Sequence, residues 1–296
     1  MQKYIVSAPV VDLRKEPISH KNLYEKDPLQ ESQLIFGEKI LGHYEMDGWI
    51  FIEAIEQKKW ITGEGWKGYP GWVKQELLNP VAEFPIQEHI IDIPWQPIYE
   101  KPTPLAALKC TIPFGSAIRV VNELSDCLVI ELSEGNYGFT PKNGVRQTVR
   151  HPNRKDICDK GLLFLNAPYL WGGRSPFLQH SEWGITSMDC SGLTNLLYRI
   201  NGLDIPRDAH DQFLKCHPKR YDELEAGDLI FTASRQRPER MTHVMLHMSP
   251  EVLLESSLIP KCVRMVSTTE KFQSTLNKLP SGSELGQEVI YFGSAF

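Results

Sequence analysis

Asp189-Cys190-Ser191-Gly192-Leu193 places one thiol where a fold can turn it into a nucleophile. The run Leu193-Thr194-Asn195-Leu196-Leu197-Tyr198 has apolar residues at helical spacing, and Asp189 is a fitting N-cap. Cys190 then stands in or beside the first turn, where unpaired N–H groups and the positive end of the helix dipole favour an anion. A free thiol titrates near ~8.5, and such a setting can lower that value. The thiolate is the reactive form. Taken alone, the same cysteine could be a small buried apolar residue.

Fifty-three residues downstream comes Met241-Thr242-His243-Val244-Met245-Leu246. Before it stand Gly227-Asp228, a turn signal, and Leu229-Ile230-Phe231, a buried strand. A histidine at the start of a strand opposite a helix-borne cysteine is the arrangement of a Cys–His catalytic pair. A structural histidine is the plainer alternative for His243 by itself.

Five segments in order carry a resemblance to a known family. They are Tyr169-Leu170-Trp171-Gly172-Gly173, Asp189-Cys190-Ser191-Gly192, Ile205-Pro206-Arg207-Asp208, Gly227-Asp228-Leu229 and Thr242-His243-Val244. Together they resemble the NlpC family of bacterial cell-wall cysteine peptidases, a papain-like group. The resemblance implies an α+β catalytic domain with Cys190 as nucleophile, His243 as base and Tyr169 as an oxyanion donor beside the Cys190 N–H. Its third triad member stands about twelve positions after the histidine and is commonly a second histidine. Here that position is Glu255, a departure. A carboxylate can still orient the ring through its Nδ1–H, and would raise the imidazole pKa more than a neutral partner. The alternative is a strand-end surface charge. Asp189 and Ser191 are implied to bind the peptide. Arg207 is a candidate for a substrate carboxylate, or for holding its own loop through Asp208. Relatives often carry Ser after that Asp; here it is Ala209. The loop 174–188 is longer than usual, and its His180 and Trp183 are candidates to reach the cleft or to pack the loop down.

The chain before this part is rich in strand and turn signals. Residues 1–150 repeat a pattern at about seventy residues: a glycine, two strands around a short turn, then a strand with Tyr, Gly and an aromatic residue. Val10-Val11-Asp12-Leu13-Arg14 opens the first copy and Gly71-Trp72-Val73 closes it, with Gly138-Phe139-Thr140 in the degenerate second. The repeat resembles tandem bacterial SH3-like domains. The expected architecture is two small all-β SH3-like barrels, 1–79 and 80–148, ahead of a papain-like NlpC domain at 149–296. That arrangement is similar to the γ-D-glutamyl-L-diamino acid endopeptidases of the YkfC type. It implies hydrolysis of short peptidoglycan-derived peptides with a free N-terminal L-Ala. In such relatives the first barrel holds the L-Ala amine with a tyrosine and an acid. Tyr69 matches the tyrosine; Glu38 fits the acid best, with Glu45 second. Barrel core and strand-edge charge are the plain alternatives.

Composition sets outer limits. With 296 residues, 41% hydrophobic and 23% charged, the chain is globular and long enough for two or three domains. A net charge of −5 with no basic run gives no sign of a nucleic-acid partner. Six scattered cysteines form no Cys-x-x-Cys pair, so no metal site and no cofactor are expected. No stretch is long and apolar enough for a membrane span, and the N-terminus lacks a signal-peptide core, so a cytoplasmic location is expected. Two other readings stand beside the peptidase: a non-catalytic binder of cell-wall peptides, and a thiol acyltransferase or lipid amidase.

Overall fold

A computed structural model describes residues 1–19, 26–149, 151–178 and 186–296. The N-terminal half holds two antiparallel sheets built to one plan. The first has β1 (Gln2–Val6), β2 (Val10–Arg14), β3 (Gln30–Ile35), β4 (Lys39–Met46), β5 (Trp49–Ile61), β6 (Gly65–Lys74) and β7 (Leu78–Val81). The second has β8 (His89–Ile91), β9 (Trp95–Tyr99), β10 (Leu108–Pro113), β11 (Ala117–Glu123), β12 (Cys127–Ser133), β13 (Asn136–Pro141) and β14 (Val145–Gln147). Spatial order is β3-β2-β6-β5-β4-β1-β7 in one and β10-β9-β13-β12-β11-β8-β14 in the other, the same permutation. The sequence repeat is therefore a repeat of strand order.

The turn before the fourth strand of each unit shows why the pattern recurs. Gly37 and Gly115 both have φ +83°, a left-handed conformation glycine adopts without a Cβ penalty. Gly37 N–H donates to Val6 O and Gly115 N–H to Ile91 O, each at 2.9 Å. The expected closed barrels are open sheets: β3 and β7 are edges, as are β10 and β14. The β3 edge is covered by the catalytic part, where Arg174 N–H and Ser175 Oγ–H donate to Gln33 Oε1 at 3.1 and 3.0 Å.

The C-terminal half packs helices on a third antiparallel sheet. In chain order it contains α1 (Arg154–Gly161), β15 (Arg174–Leu178), β16 (Thr186–Met188), α2 (Cys190–Arg199), α3 (Ala209–Lys215) and β17 (His217–Pro218). Then follow β18 (Leu229–Ser234), β19 (Met241–Ser249), β20 (Val252–Ser257), β21 (Cys262–Ser267), α4 (Thr268–Phe272), β22 (Ser283–Leu285) and β23 (Glu288–Ser294). The sheet order is β17-β23-β18-β19-β20-β21, with β22 on β23. Every residue of α2 except Arg199 is buried. The helix is enclosed because the sheet covers one side and the N-terminal units another. Phe114 stacks edge-on against Phe164 at 5.0 Å, and Ile35, Ile90 and Phe114 share one core with Leu193, Leu196 and Leu197. Each such aliphatic or aromatic side chain contributes roughly 1.5–3 kcal/mol by leaving water. Among the described residues no helix is long and apolar enough to cross a membrane.

Candidate active site

The helix expected after Asp189 is α2, and its geometry explains the local sequence. Asp189 has extended backbone, and its Oδ1 accepts the Gly192 N–H at 2.7 Å, an N-cap bond. A Cβ on Gly192 would stand 2.2 Å from the Gly173 carbonyl oxygen, so only glycine lets the helix start lie against the Gly172-Gly173 turn. Cys190 follows the cap directly and is 8% exposed. Its own N–H belongs to the first helical turn, which has no intrahelical acceptor.

His243 projects from β19, beside Thr232 of β18. Its ring lies close enough to the Cys190 side chain to feel its charge. Its Nε2 lies 2.8 Å from Glu255 Oε2, on the next strand β20. The expected ring orientation is thus reversed: Glu255 holds Nε2, which leaves Nδ1 for the thiol. Burial pushes the His243 ring down. The charge of Cys190, joined by Glu255, outweighs burial and raises it from 6.5 to about 9. Burial pushes the Glu255 carboxyl up, but His243 and then Lys271 pull it down to about 2. Glu255 is no surface charge. It is 1% exposed, with Arg264 Nη2 at 3.0 Å and Lys271 Nζ at 2.8 Å.

Tyr169 is half-buried next to Met188, at an isolated bridge. Burial, then the charges of Asp189 and Cys190, raise its phenol strongly. Its hydroxyl makes no hydrogen bond among the described residues, so it remains a free donor on the Cys190 side of the cleft.

Arg207 sits elsewhere in the design than a substrate clamp. It is 1% exposed. Its Nε–H donates to Ser32 Oγ at 2.8 Å, and Nη1 to Asp189 Oδ1 and Ser191 Oγ at 3.0 and 2.9 Å. Nη2 donates to Asp189 Oδ2 at 2.8 Å and Gly173 O at 3.2 Å. A guanidinium has five N–H donors, and these contacts use all of them. Arg207 therefore has none left for a substrate carboxylate, nor does it bond Asp208. Ser191 Oγ is also spent, donating to Asp189 Oδ1 at 3.2 Å. Asp189, Ser191 and Arg207 form a closed network beneath the nucleophile, tied to β3 of the first unit through Ser32.

Tyr69 is 3% exposed, and its hydroxyl reaches the catalytic part. It lies 3.0 Å from Glu31 Oε2 and 3.1 Å from Asp208 Oδ2. Lys59 Nζ joins them, 2.8 Å from the phenol and 2.7 Å from Asp208 Oδ2. The long β5–β6 hairpin makes this possible. Arg207 N–H donates to Lys58 O at 3.0 Å, and Trp60 N–H to Asp211 Oδ2 at 2.9 Å. Glu38, the acid expected beside Tyr69, is not there. It is 1% exposed and paired with Arg174 Nη1 at 2.9 Å, an approach without hydrogen-bond alignment. Its other oxygen accepts Ile35 N–H at 3.0 Å and Gln57 Nε2–H at 3.1 Å. The second choice, Glu45, takes the Tyr4 hydroxyl at 3.4 Å. Glu38 is a buried counter-ion because its side chain is turned onto Arg174 and Arg199 of the catalytic part. The acid that meets Tyr69 is Glu31, at the start of β3. His180 and Trp183 lie outside the described residues.

Among the described residues no cluster of His, Cys, Asp and Glu could hold a metal ion. A thiol on a helix start, a histidine fixed by a carboxylate and a phenol without a hydrogen-bond partner among the described residues can act together as a nucleophile, an acid–base and an oxyanion donor.

The NlpC/P60 family description matches residues 166–277, which hold all three. This part of the chain is an NlpC/P60 peptidase domain. The likeness extends into the N-terminal half. A γ-D-glutamyl-L-lysine dipeptidyl-peptidase of Bacillus subtilis is 26% identical over 245 residues, 82% of this chain and 78% of the relative. Dipeptidyl-peptidase 6 of Lysinibacillus sphaericus is 23% identical over 273 residues, 86% of this chain and 87% of the relative. The crystal structure of an NlpC/P60 family protein from Bacillus cereus superposes with a TM-score of 0.76 at 21% identity, covering 90% of this chain and 94% of that one. At that identity the superposition establishes a shared fold, in the N-terminal units as well as the NlpC/P60 domain.

Proposed function

We propose that the chain is a cysteine endopeptidase that hydrolyses the bond between the γ-carboxyl of D-Glu and a diamino acid such as diaminopimelate. Its substrates are short peptidoglycan peptides with a free N-terminal L-Ala. The observation that carries this reading is the His243 ring beside Cys190, with its Nε2 held 2.8 Å from Glu255 Oε2. The naming of its relatives as γ-D-glutamyl-L-lysine dipeptidyl-peptidases supports the bond type. The two N-terminal sheets are read as SH3-like modules, with units 1–79 and 80–148 ahead of a catalytic unit 149–296.

In this mechanism His243 draws the thiol proton through Nδ1, and the Cys190 thiolate attacks the γ-amide carbonyl carbon. The oxyanion receives the Cys190 N–H and the Tyr169 hydroxyl, each such donor being worth roughly 3 kcal/mol in the transition state. The imidazolium gives its proton to the leaving amine as the C–N bond breaks. Water, deprotonated by His243, then releases the thioester. Asp189, Ser191 and Arg207 hold the helix start rigid rather than touch the substrate.

The amine end is assigned to Tyr69, Glu31 and Asp208. Lys59 Nζ already pairs with Asp208 Oδ2 and touches the phenol, so the acid open to an incoming amine is Glu31. Glu31 pairs with no cation among the described residues and is left for the incoming amine. A stem peptide still attached to glycan has its amine acylated and lacks the charge this site needs. The reading therefore favours soluble peptides from wall turnover and a recycling role.

Two measurements test the chemistry. Cys190→Ala should abolish release of the diamino acid from L-Ala-γ-D-Glu-diaminopimelate with the fold intact by circular dichroism; retained turnover would end the reading. Because the imidazolium must protonate the leaving amine and persists to about 9, kcat/KM should fall as pH rises through about 9. A fall centred near the ordinary histidine value of 6.5 would show that the Cys190 and Glu255 contacts do not hold the ring.

A further inference from the structure

Glu255 is held by more groups than orienting one imidazole requires. Its Oε1 receives Arg264 Nε and Nη2, both at 3.0 Å. Its Oε2 receives Lys271 Nζ at 2.8 Å and His243 Nε2 at 2.8 Å. The two cations come from separate elements. Arg264 stands directly across from Glu255 in the β20–β21 register, and Lys271 arrives from α4. Arg264 also pairs with Glu270 of α4 at 2.8 Å. The other groups facing His243 are Cys190 from α2 and the uncharged Thr232 from β18. From α3, His210 Nδ1 receives the Met241 N–H at 3.4 Å.

A lone buried carboxylate against an imidazole would tie up the imidazolium and weaken it as the acid that must release a proton. Here two carboxylates meet two cations, and the local charge around the third triad position is close to balanced. We propose that Arg264 and Lys271 are positioning residues for catalysis: they fix the Glu255 carboxylate against His243 Nε2 and offset its charge, so that the imidazolium answers chiefly to Cys190. Neither touches the reacting atoms. Both act through Glu255. The proposal rests on the thiol-peptidase reading only for the pairing of Cys190 with His243.

The test reads the His243 ring directly, by NMR titration of its Cε1–H in the resting protein without substrate. In the native protein the inflection should lie near 9. Lys271→Gln leaves the carboxylate less compensated and should move the inflection up by about one pH unit. Arg264→Gln should move it the same way by less, because Arg264 holds Oε1, the oxygen turned away from the ring. Lys271→Arg keeps the charge and should leave it in place. Glu255→Gln should move it down. A merely structural role would lower the melting temperature and leave the inflection unmoved. An unmoved or lowered inflection in folded Lys271→Gln overturns the proposal, and so does the same result in Arg264→Gln should the lysine variant not fold. Failure to cleave the peptide would leave these titrations untouched, so the two readings fail separately.

Discussion

The two N-terminal sheets share a strand order and a glycine turn, yet only the first reaches Arg207 and Asp208. Their second hairpins differ most. In the first unit β5 and β6 run 13 and 10 residues; in the second β12 and β13 run 7 and 6. The added length carries Lys58, Lys59 and Trp60 onto the start of α3 and sets Tyr69 against Asp208. The second unit keeps the shared turn and uses it for packing. Gly115 O accepts Arg199 Nε–H at 2.8 Å, and Phe114 enters the catalytic core. The repeated pattern specifies a scaffold. The departure from the pattern brings the first unit against Arg207, Asp208 and Asp211.

The largest break in this contrast should come at Arg207, which wires Ser32 of the first unit to Asp189 under the nucleophile. Arg207→Met leaves Asp189 buried without its cation, a loss of about 3–5 kcal/mol. Chemical denaturation should show it, together with slower alkylation of Cys190 by iodoacetamide. A stable variant with unchanged alkylation would mean that the first unit does not support the helix start.

A smaller effect is expected at Gly115. An added Cβ would meet Leu196 Cδ2 at 2.9 Å, on a backbone at φ +83°. Gly115→Ala should cost about 1–3 kcal/mol of stability. KM for the tripeptide should be unchanged in the folded fraction. A selective rise in KM would give the second unit a part in substrate binding and erase the contrast.

The catalytic helix was the most legible part of the chain. Asp189 as cap and the apolar spacing after Cys190 follow from local rules, and α2 starts where they place it. The Gly227-Asp228 turn was also legible, and its reason is structural: Gly227 has φ +88°, while buried Asp228 pairs with Arg154 at 2.7 Å. Residues joined only by tertiary register were not legible. Arg264 meets Glu255 because β20 and β21 pair with those two positions opposed. Lys271 needs the turn into α4 as well. Glu31 gave no local signal, standing in the polar run Gln30-Glu31-Ser32-Gln33, and its approach to Tyr69 depends on how β2 and β3 lie beside β6. Glu38 misled because the resemblance asks for an acid beside Tyr69, whereas the Glu38 side chain is turned onto Arg174 and Arg199. Arg207 misled because an arginine in a motif suggests a ligand, and its five donors were already committed within the protein.

The central claim is that the first unit completes the peptidase site by holding a substrate amine, and one comparison tests it most directly. It is kcat/KM for L-Ala-γ-D-Glu-diaminopimelate with a free and with an acetylated N-terminus, in the native protein, Glu31→Gln and Gly115→Ala. A charge pair lost in a partly buried site costs about 2–5 kcal/mol, so the native protein should prefer the free amine by a factor of tens or more. Glu31→Gln should bring that ratio close to one, while Gly115→Ala keeps it. Equal cleavage of both peptides by the native protein, or an unchanged ratio in Glu31→Gln, would contradict the account and leave the long hairpin as scaffold alone.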